Sequence, residues 1–154
     1  MLAPAPASAA EICGSNLHLS SPQDQALLAF AHRLDLAEPD AFRDVVDYLH
    51  ANGRLPPCYL TKRAAESGGW RPGDDLWRIA PGDAIGGDPY SDREHRLPAR
   101  WRGRYVEADL DYAGGHRGAE RLIFVRGMGE RWLIFVTTDH YRHFARLAPA
   151  STSP

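Results

Sequence analysis

The sequence predicts an α+β fold with N-terminal helices packed on one face of an antiparallel sheet. Two observations lead there. Apolar residues recur at helical spacing only in the first half of the chain. From residue 84 onward, strand-like runs alternate with Gly-rich links. Helices first and strands after is the order of an α+β layout rather than of βαβ units. At 154 residues, 44% hydrophobic and 25% charged, the chain has the size and composition of one globular domain. No apolar run approaches the ~18 residues that a membrane helix requires, so a membrane partner is not expected.

Residues 1–20 carry no period and read as a loose arm. Ser21-Pro22 offers an N-cap followed by proline at the first helical position, and Leu27, Leu28, Ala31 and Leu34 then recur at helical spacing to about Leu36. A stronger helix opens at Asp40, where Phe42, Val45, Val46 and Leu49 fall at i, i+3, i+4 and i+7; Gly53 and Pro56-Pro57 close it. Thr61 caps a short third helix, KRAAES, closed by Gly68-Gly69, and DDLWRI makes one further turn. AIGGDPYSDRE reads as turn chemistry. Strand-like runs follow at about 101–112, 119–126 and 131–139.

The net charge of −2 is unevenly spread: residues 1–40 hold five acids and one Arg. Residues 91–146 hold eleven basic residues, all of them Arg, against eight acids. Arg binds phosphate bidentately, so this bias hints at a phosphate ligand. The opening MLAPAPASAAE contains Ala7-Ser8-Ala9 without a basic or apolar stretch before it, and reads either as the tail of a signal peptide or as a flexible Ala/Pro leader. Cys13 and Cys58 are expected to pair, one in the N-terminal extension and one in the core of a chain read as exported.

Strand alternation places Val106, Ala108, Leu110 and Tyr112 on one face and Tyr105, Glu107, Asp109 and Asp111 on the other. Arg121 shares a face with Ile123 and Val125, and His140 continues the phase of Trp132, Ile134, Val136 and Thr138. An antiparallel sheet covered by helices on one side leaves the other open, and there Glu107, Asp109, Arg121 and His140 are expected to meet. The same alternation sets Asp139 apart from His140, and sets His140 and His143 apart as metal ligands. No nucleophile motif, HExxH or phosphate-binding P-loop is present. The chemistry left is general acid–base catalysis on an anion, with no metal and no cofactor.

The blocks YLTKRAAESGGW, IAPGDAIGGDPYSDRE, EADLDYAGGHRGAERLIF and WLIFVTTDHY resemble, in order and spacing, the barnase family of small bacterial guanyl-preferring ribonucleases. The resemblance runs from about Ala41 to Leu147. It implies N-terminal helices on a five-stranded antiparallel sheet whose open face is the active site. Glu107 then corresponds to the general base and His140 to the general acid. Arg117, Arg121 and Lys62 correspond to the phosphate-holding cations, and Asp109 to the acid that fixes the arginines. Tyr141 matches the tyrosine beside the catalytic histidine. The loop of Ser91, Asp92, Arg93 and Glu94 resembles the guanine-reading loop, with the Glu94 carboxylate suited to the two adjacent N–H donors of guanine. Asp92 stands where the family often has Asn, and His116 where an apolar aromatic is common.

The expected organisation is an extension over 1–38 (arm plus a helix at about 22–36), a ribonuclease domain over 39–148 and a tail over 149–154. The expected activity is cleavage of single-stranded RNA after guanosine by a secreted monomer, or by a toxin domain. Family membership also implies a small acidic inhibitor of the barstar type as a partner. A competing reading is an RNA- or inhibitor-binding module that has lost catalysis; the intact acid, base and phosphate set argues against it.

Overall fold

The computed structural model describes residues 11–148. The Ala7–Ala9 pattern and the tail expected over 149–154 lie outside them. Among the described residues three α-helices form, α1 (Asp24–Arg33), α2 (Pro39–Asn52) and α3 (Lys62–Ser67). Six strands form one sheet in sequence order: β1 (Tyr59–Leu60), β2 (Ala84–Pro89), β3 (Val106–Asp109), β4 (Arg121–Arg126), β5 (Trp132–Thr137) and β6 (Ala145–Arg146). The α+β architecture is as expected, with two corrections. The sheet has six strands rather than five, and β1 pairs parallel to β2 while every other pair is antiparallel.

The helix signals act as the sequence indicates, with shifted ends. α1 starts at Asp24, because Ser21 turns its own N–H and hydroxyl to the Asp24 carboxylate. α2 ends where Gly53 enters the left-handed region at φ 73°, a conformation glycine adopts without a Cβ clash. The Thr61 side chain accepts the Ala64 N–H and so caps α3. The segment read as turn chemistry contains β2. Glycine is required there by close approach: a Cβ on Gly86 would lie 2.9 Å from the Ala108 Cβ of the next strand.

Side-chain alternation sorts the sheet. Ala108, Leu122, Phe124, Ile134 and Val136 face α1 and α2, where they bury with Leu27, Phe30, Phe42, Val45, Val46 and Leu49. Residues of the N-terminal extension thus belong to the main core. Burying one such side chain contributes about 1.5–3 kcal/mol. The opposite face is not simply open. Tyr105, Ile123, Val125 and Phe135 form a second, partly aromatic layer with Leu97, Tyr90, Trp101, Tyr141 and Phe144.

Cys13 and Cys58 are joined by a disulfide with their Cα atoms 5.6 Å apart. It sits in a third cluster with Ala65, Trp70, Leu76, Ile85 and Tyr112. The arm is thereby tied to the segment between α2 and β1, as expected.

Two residues leave the strand that alternation assigned them. β3 ends at Asp109, and Asp111 lies at φ 59°. Its carboxylate accepts the N–H groups of Ala37 and Glu38 at 2.8 and 3.0 Å, beside the N-terminus of α2, where negative charge is favoured. Tyr112 turns into the disulfide cluster, where its hydroxyl accepts from the Leu76 N–H and donates to the Gly115 carbonyl.

Candidate active site

β3 and β4 build the floor of the site. Their register sets Asp109 opposite Arg121 and Glu107 opposite Ile123, so both carboxylates and the guanidinium project from one face. Asp109 is 2% exposed and Arg121 3%. The Asp109 carboxylate accepts Nε and Nη2 of Arg117, each at 2.7 Å, and lies 3.0 Å from Nε of Arg121. One buried acid thus fixes two arginines. Arg121 is further held by donation from Nη1 to the carbonyls of Gly118 and Glu120. Nη1 of Arg117 and Nη2 of Arg121 have no partner among the described residues. Burial opposes the charge of Arg117, but its bonds to Asp109 and the charge of that carboxylate outweigh it and push its pKa up.

Glu107 lies beside this cluster and is nearly buried. Its Oε2 accepts the Tyr141 hydroxyl at 2.7 Å, and the same hydroxyl accepts Nε of Arg121 at 3.1 Å. Burial, and then the Glu107 carboxylate, push the Tyr141 phenol up, so it stays a neutral donor at ordinary pH. Lys62 brings its Nζ to 3.9 Å from Glu107 Oε1, with its side chain 45% exposed. It stands in the first turn of α3, where Asp88 accepts its backbone N–H. Six of the residues singled out in the sequence are therefore linked by hydrogen bonds or ion pairs: Lys62, Glu107, Asp109, Arg117, Arg121 and Tyr141.

His140 arrives differently from the way alternation suggested. β5 stops at Thr137, and His140 and Tyr141 both take left-handed backbone, at φ 56° and 72°. The His140 ring is exposed and packs edge-on against Tyr141 with centroids 4.8 Å apart. Asp139 orients the turn, not the ring. Its carboxylate accepts the Thr137 hydroxyl and the N–H groups of Arg142 and His143, and pairs with the His143 ring. The bond to His143 and its other donors pull the Asp139 carboxyl well below its ordinary range. Non-glycine left-handed backbone at two consecutive positions is costly, and this anchoring sustains it.

The loop at 90–97 borders the same face. Ser91, Arg93 and Glu94 are exposed, whereas Asp92 is 0% exposed. The Asp92 side chain therefore does not reach outward as a ligand group. It accepts the N–H groups of Arg96 and Leu97 and Nε of Arg102, and so sets the shape of the loop. The N–H groups of Ser91, Asp92, Arg93 and Glu94 meet no acceptor among the described residues. Tyr90, which sequence reasoning passed over, stacks on Tyr141 at 5.0 Å, and Arg96 Nη1 donates to the Tyr141 carbonyl. Burial, with the carboxylates of Asp92, Glu94 and Glu107, pushes the Tyr90 phenol up to about 12. Its place next to the SDRE block was the signal available for it.

Among the described residues no group of three His, Cys, Asp or Glu could hold a metal ion, and no helix is long and apolar enough to cross a membrane. The arrangement is that of an anion site: guanidiniums fixed by Asp109, the Glu107 carboxylate beside them, and an exposed imidazole at its rim. Such a set suits proton transfer around a phosphate.

The class this fold and site define has known members. A family model described as ribonuclease matches residues 42–148. A ribonuclease of Heyndrickxia coagulans is 44% identical over 109 residues, 70% of this chain and 96% of that protein. Ribonucleases of Bacillus intermedius and Bacillus pumilus are each 43% identical over 113 residues, 73% of this chain and 67% of each relative. The chain belongs to this ribonuclease family, whose barnase-type members the sequence blocks resemble. Its substrate class is RNA.

Proposed function

We propose that the protein is a guanyl-preferring endoribonuclease that cleaves by transphosphorylation and uses no metal. Glu107 removes the proton of the ribose 2′-OH. The 2′-oxygen then attacks phosphorus in line, the bond to the 5′-oxygen breaks, and His140 gives that oxygen a proton. The products are a 2′,3′-cyclic phosphate and a free 5′-OH. Water then opens the ring with the roles of acid and base exchanged, leaving a 3′-phosphate. Arg117, Arg121 and Lys62 stabilise the charge that develops on the phosphoryl oxygens, and Tyr141 holds Glu107 in place.

One observation carries this reading. Asp109 locks two guanidiniums next to Glu107, and each keeps one nitrogen without a partner among the described residues. A structural ion pair has no need of donors left over at a solvent-facing edge.

The guanine preference is assigned to the loop at 91–94. Glu94 accepts the two adjacent donors of the Watson–Crick edge, and the unpaired backbone N–H groups of the loop meet O6 and N7. The Tyr90–Tyr141 stack offers an aromatic surface beside the base. Lys62, half-exposed at the site, and the exposed Arg93 and Arg96 of the neighbouring loop suit a small acidic protein inhibitor as a second partner. The disulfide suits an exported protein acting in an oxidising compartment, working as a monomer or as the toxin part of a delivery system.

The experiment is cleavage of GpN and ApN dinucleotides by the parent chain and by Glu94→Ala. The parent is expected to favour GpN strongly. The variant is expected to lose most of that ratio, because its phosphate-binding groups remain. An unchanged ratio would place base reading elsewhere.

A further inference from the structure

Eleven arginines crowd residues 91–146, and the candidate active site uses only some of them. Two others frame one tryptophan. Trp101 ends a short 3-10 turn, Ala99–Trp101, directly after the loop at 90–97. The guanidinium of Arg100 stands 5.0 Å from its ring centroid and that of Arg104 stands 5.4 Å away. Both arginines are exposed, and neither meets a carboxylate among the described residues. Arg102, between them, is spent on the buried Asp92. Trp101 is half-buried and rests on the same aromatic layer as Tyr90 and Tyr141. Arg100 also reaches Met128, an apolar side chain left 67% exposed on the β4–β5 link.

Two guanidiniums with no carboxylate partner among the described residues, framing a half-exposed indole, make a poor structural device. Arg100 and Arg104 repel one another, and their positions at the surface bring no buried pairing in return. The same set is well suited to single-stranded nucleic acid, in which phosphates alternate with stackable bases. The loop at 91–94 follows Tyr90, which stacks on Tyr141 beside the site's cations, and Trp101 comes next in the chain and packs in the same aromatic layer. A strand with its guanosine in that loop has its scissile phosphate on the side of Arg117 and Arg121. Nucleotides on the 5′ side of the guanosine therefore leave toward Trp101.

We infer that Arg100, Trp101 and Arg104 form a binding platform for the RNA nucleotides immediately 5′ of the cleaved guanosine. Arg100 and Arg104 contact phosphates, and the indole face takes a base in exchange for one of its arginine neighbours. The platform rests on the assignment of the 91–94 loop as the guanosine site. It adds binding energy for chains without touching the reacting atoms.

The test compares GpN with two longer substrates, NpNpNpGpN extended on the 5′ side and GpNpNpN extended on the 3′ side. The enzymes are the parent, the double variant Arg100→Ala/Arg104→Ala, and Trp101→Leu, which keeps an apolar group on the layer beneath. For the parent, 5′ extension is expected to raise kcat/KM about tenfold or more at low salt. Both variants should lose most of that gain, keep parental GpN turnover and keep any 3′ gain. The double variant should also lower the slope of log kcat/KM against log salt by about 1.4, from two phosphate contacts at ~0.7 each on a single strand. No 5′ gain in the parent, an undiminished gain in both variants, or an equal loss on GpN would each overturn the platform. The GpN-to-ApN ratio of the parent reports separately on the loop, so failure there is distinguishable from failure of the platform.

Discussion

Replacing Asp109 by alanine is the sharpest structural perturbation the site offers. The carboxylate is 2% exposed and holds Arg117 through two bonds of 2.7 Å and Arg121 at 3.0 Å. Without it, Arg121, itself 3% exposed, keeps two carbonyls and the Tyr141 hydroxyl but no negative partner at bonding distance apart from Glu107 through Tyr141. Removing one member of a buried ion pair costs about 3–5 kcal/mol, because a charge is left buried and uncompensated. For a chain of this size each 1 kcal/mol moves Tm by about 2–4 °C, so the drop expected is about 6–20 °C. Arg117→Ala is the control. Its side chain is 21% exposed, and Asp109 keeps Arg121 after the change, so its cost should stay within about 1–3 kcal/mol, that of hydrogen bonds to a charged group. Urea unfolding followed by tryptophan fluorescence measures both. Equal costs for the two variants, or a loss under about 1 kcal/mol for Asp109→Ala, would refute the view that this acid anchors the arginines.

Three further outcomes follow from the same coordinates. Glu107→Gln and His140→Ala should each lower turnover by ~10²–10⁴-fold with circular dichroism unchanged, and near-parental rates in both would remove them as base and acid. Cys58→Ser opens a 45-residue link, for which chain entropy predicts a loss of about 4 kcal/mol, read as a shift in the urea midpoint that the reduced parent should reproduce. The Asp47 carboxyl, 5% exposed, is pushed up to about 6 by burial and then by its neighbour Asp24. Around it also lie Asp44, Arg43, Ser21 and His50, whose own pKa burial lowers. The folded chain there holds a proton that the unfolded chain has released above its ordinary value of 3.8, so this contribution is full at low pH and fades as pH rises through about 6. Asp47→Asn should therefore flatten the fall in stability from about pH 4 to about pH 7, and an unchanged profile would exclude the raised Asp47 carboxyl.

The helices were legible because their signals are local. The i, i+3, i+4, i+7 pattern of α2, the left-handed Gly53 and the Thr61 cap each depend on neighbours in sequence. The sheet was legible only where it repeats. β4 and β5 read as continuous apolar runs bounded by Gly-rich links, but β1 and β6 are two-residue strands with no period to read. β2 was hidden because its glycine pair looks like a turn, whereas Gly86 is there to let Tyr59 and Ala108 approach. In the site, strand phase correctly grouped Glu107, Asp109 and Arg121, which stand in regular pairing. It was not able to place His140, Asp111 or Tyr141, because a single left-handed residue ends the alternation on which the argument depends. The inward turn of Asp92 is set by Arg96, Leu97 and Arg102, a closure invisible in a run of polar letters.

The central claim is that the nucleophile belongs to the substrate. Glu107 has a 2′-OH to deprotonate in RNA and nothing to deprotonate in DNA, while the arginines and Lys62 handle the phosphate charge without a cation. The direct measurement is product analysis on GpN and on its 2′-deoxyguanosine counterpart, each in excess EDTA. The account predicts full cleavage of GpN with guanosine 2′,3′-cyclic phosphate as the first product, and none of the deoxy compound. Loss of GpN cleavage on chelation, a first product without the cyclic phosphate, or hydrolysis of the deoxy compound would contradict it.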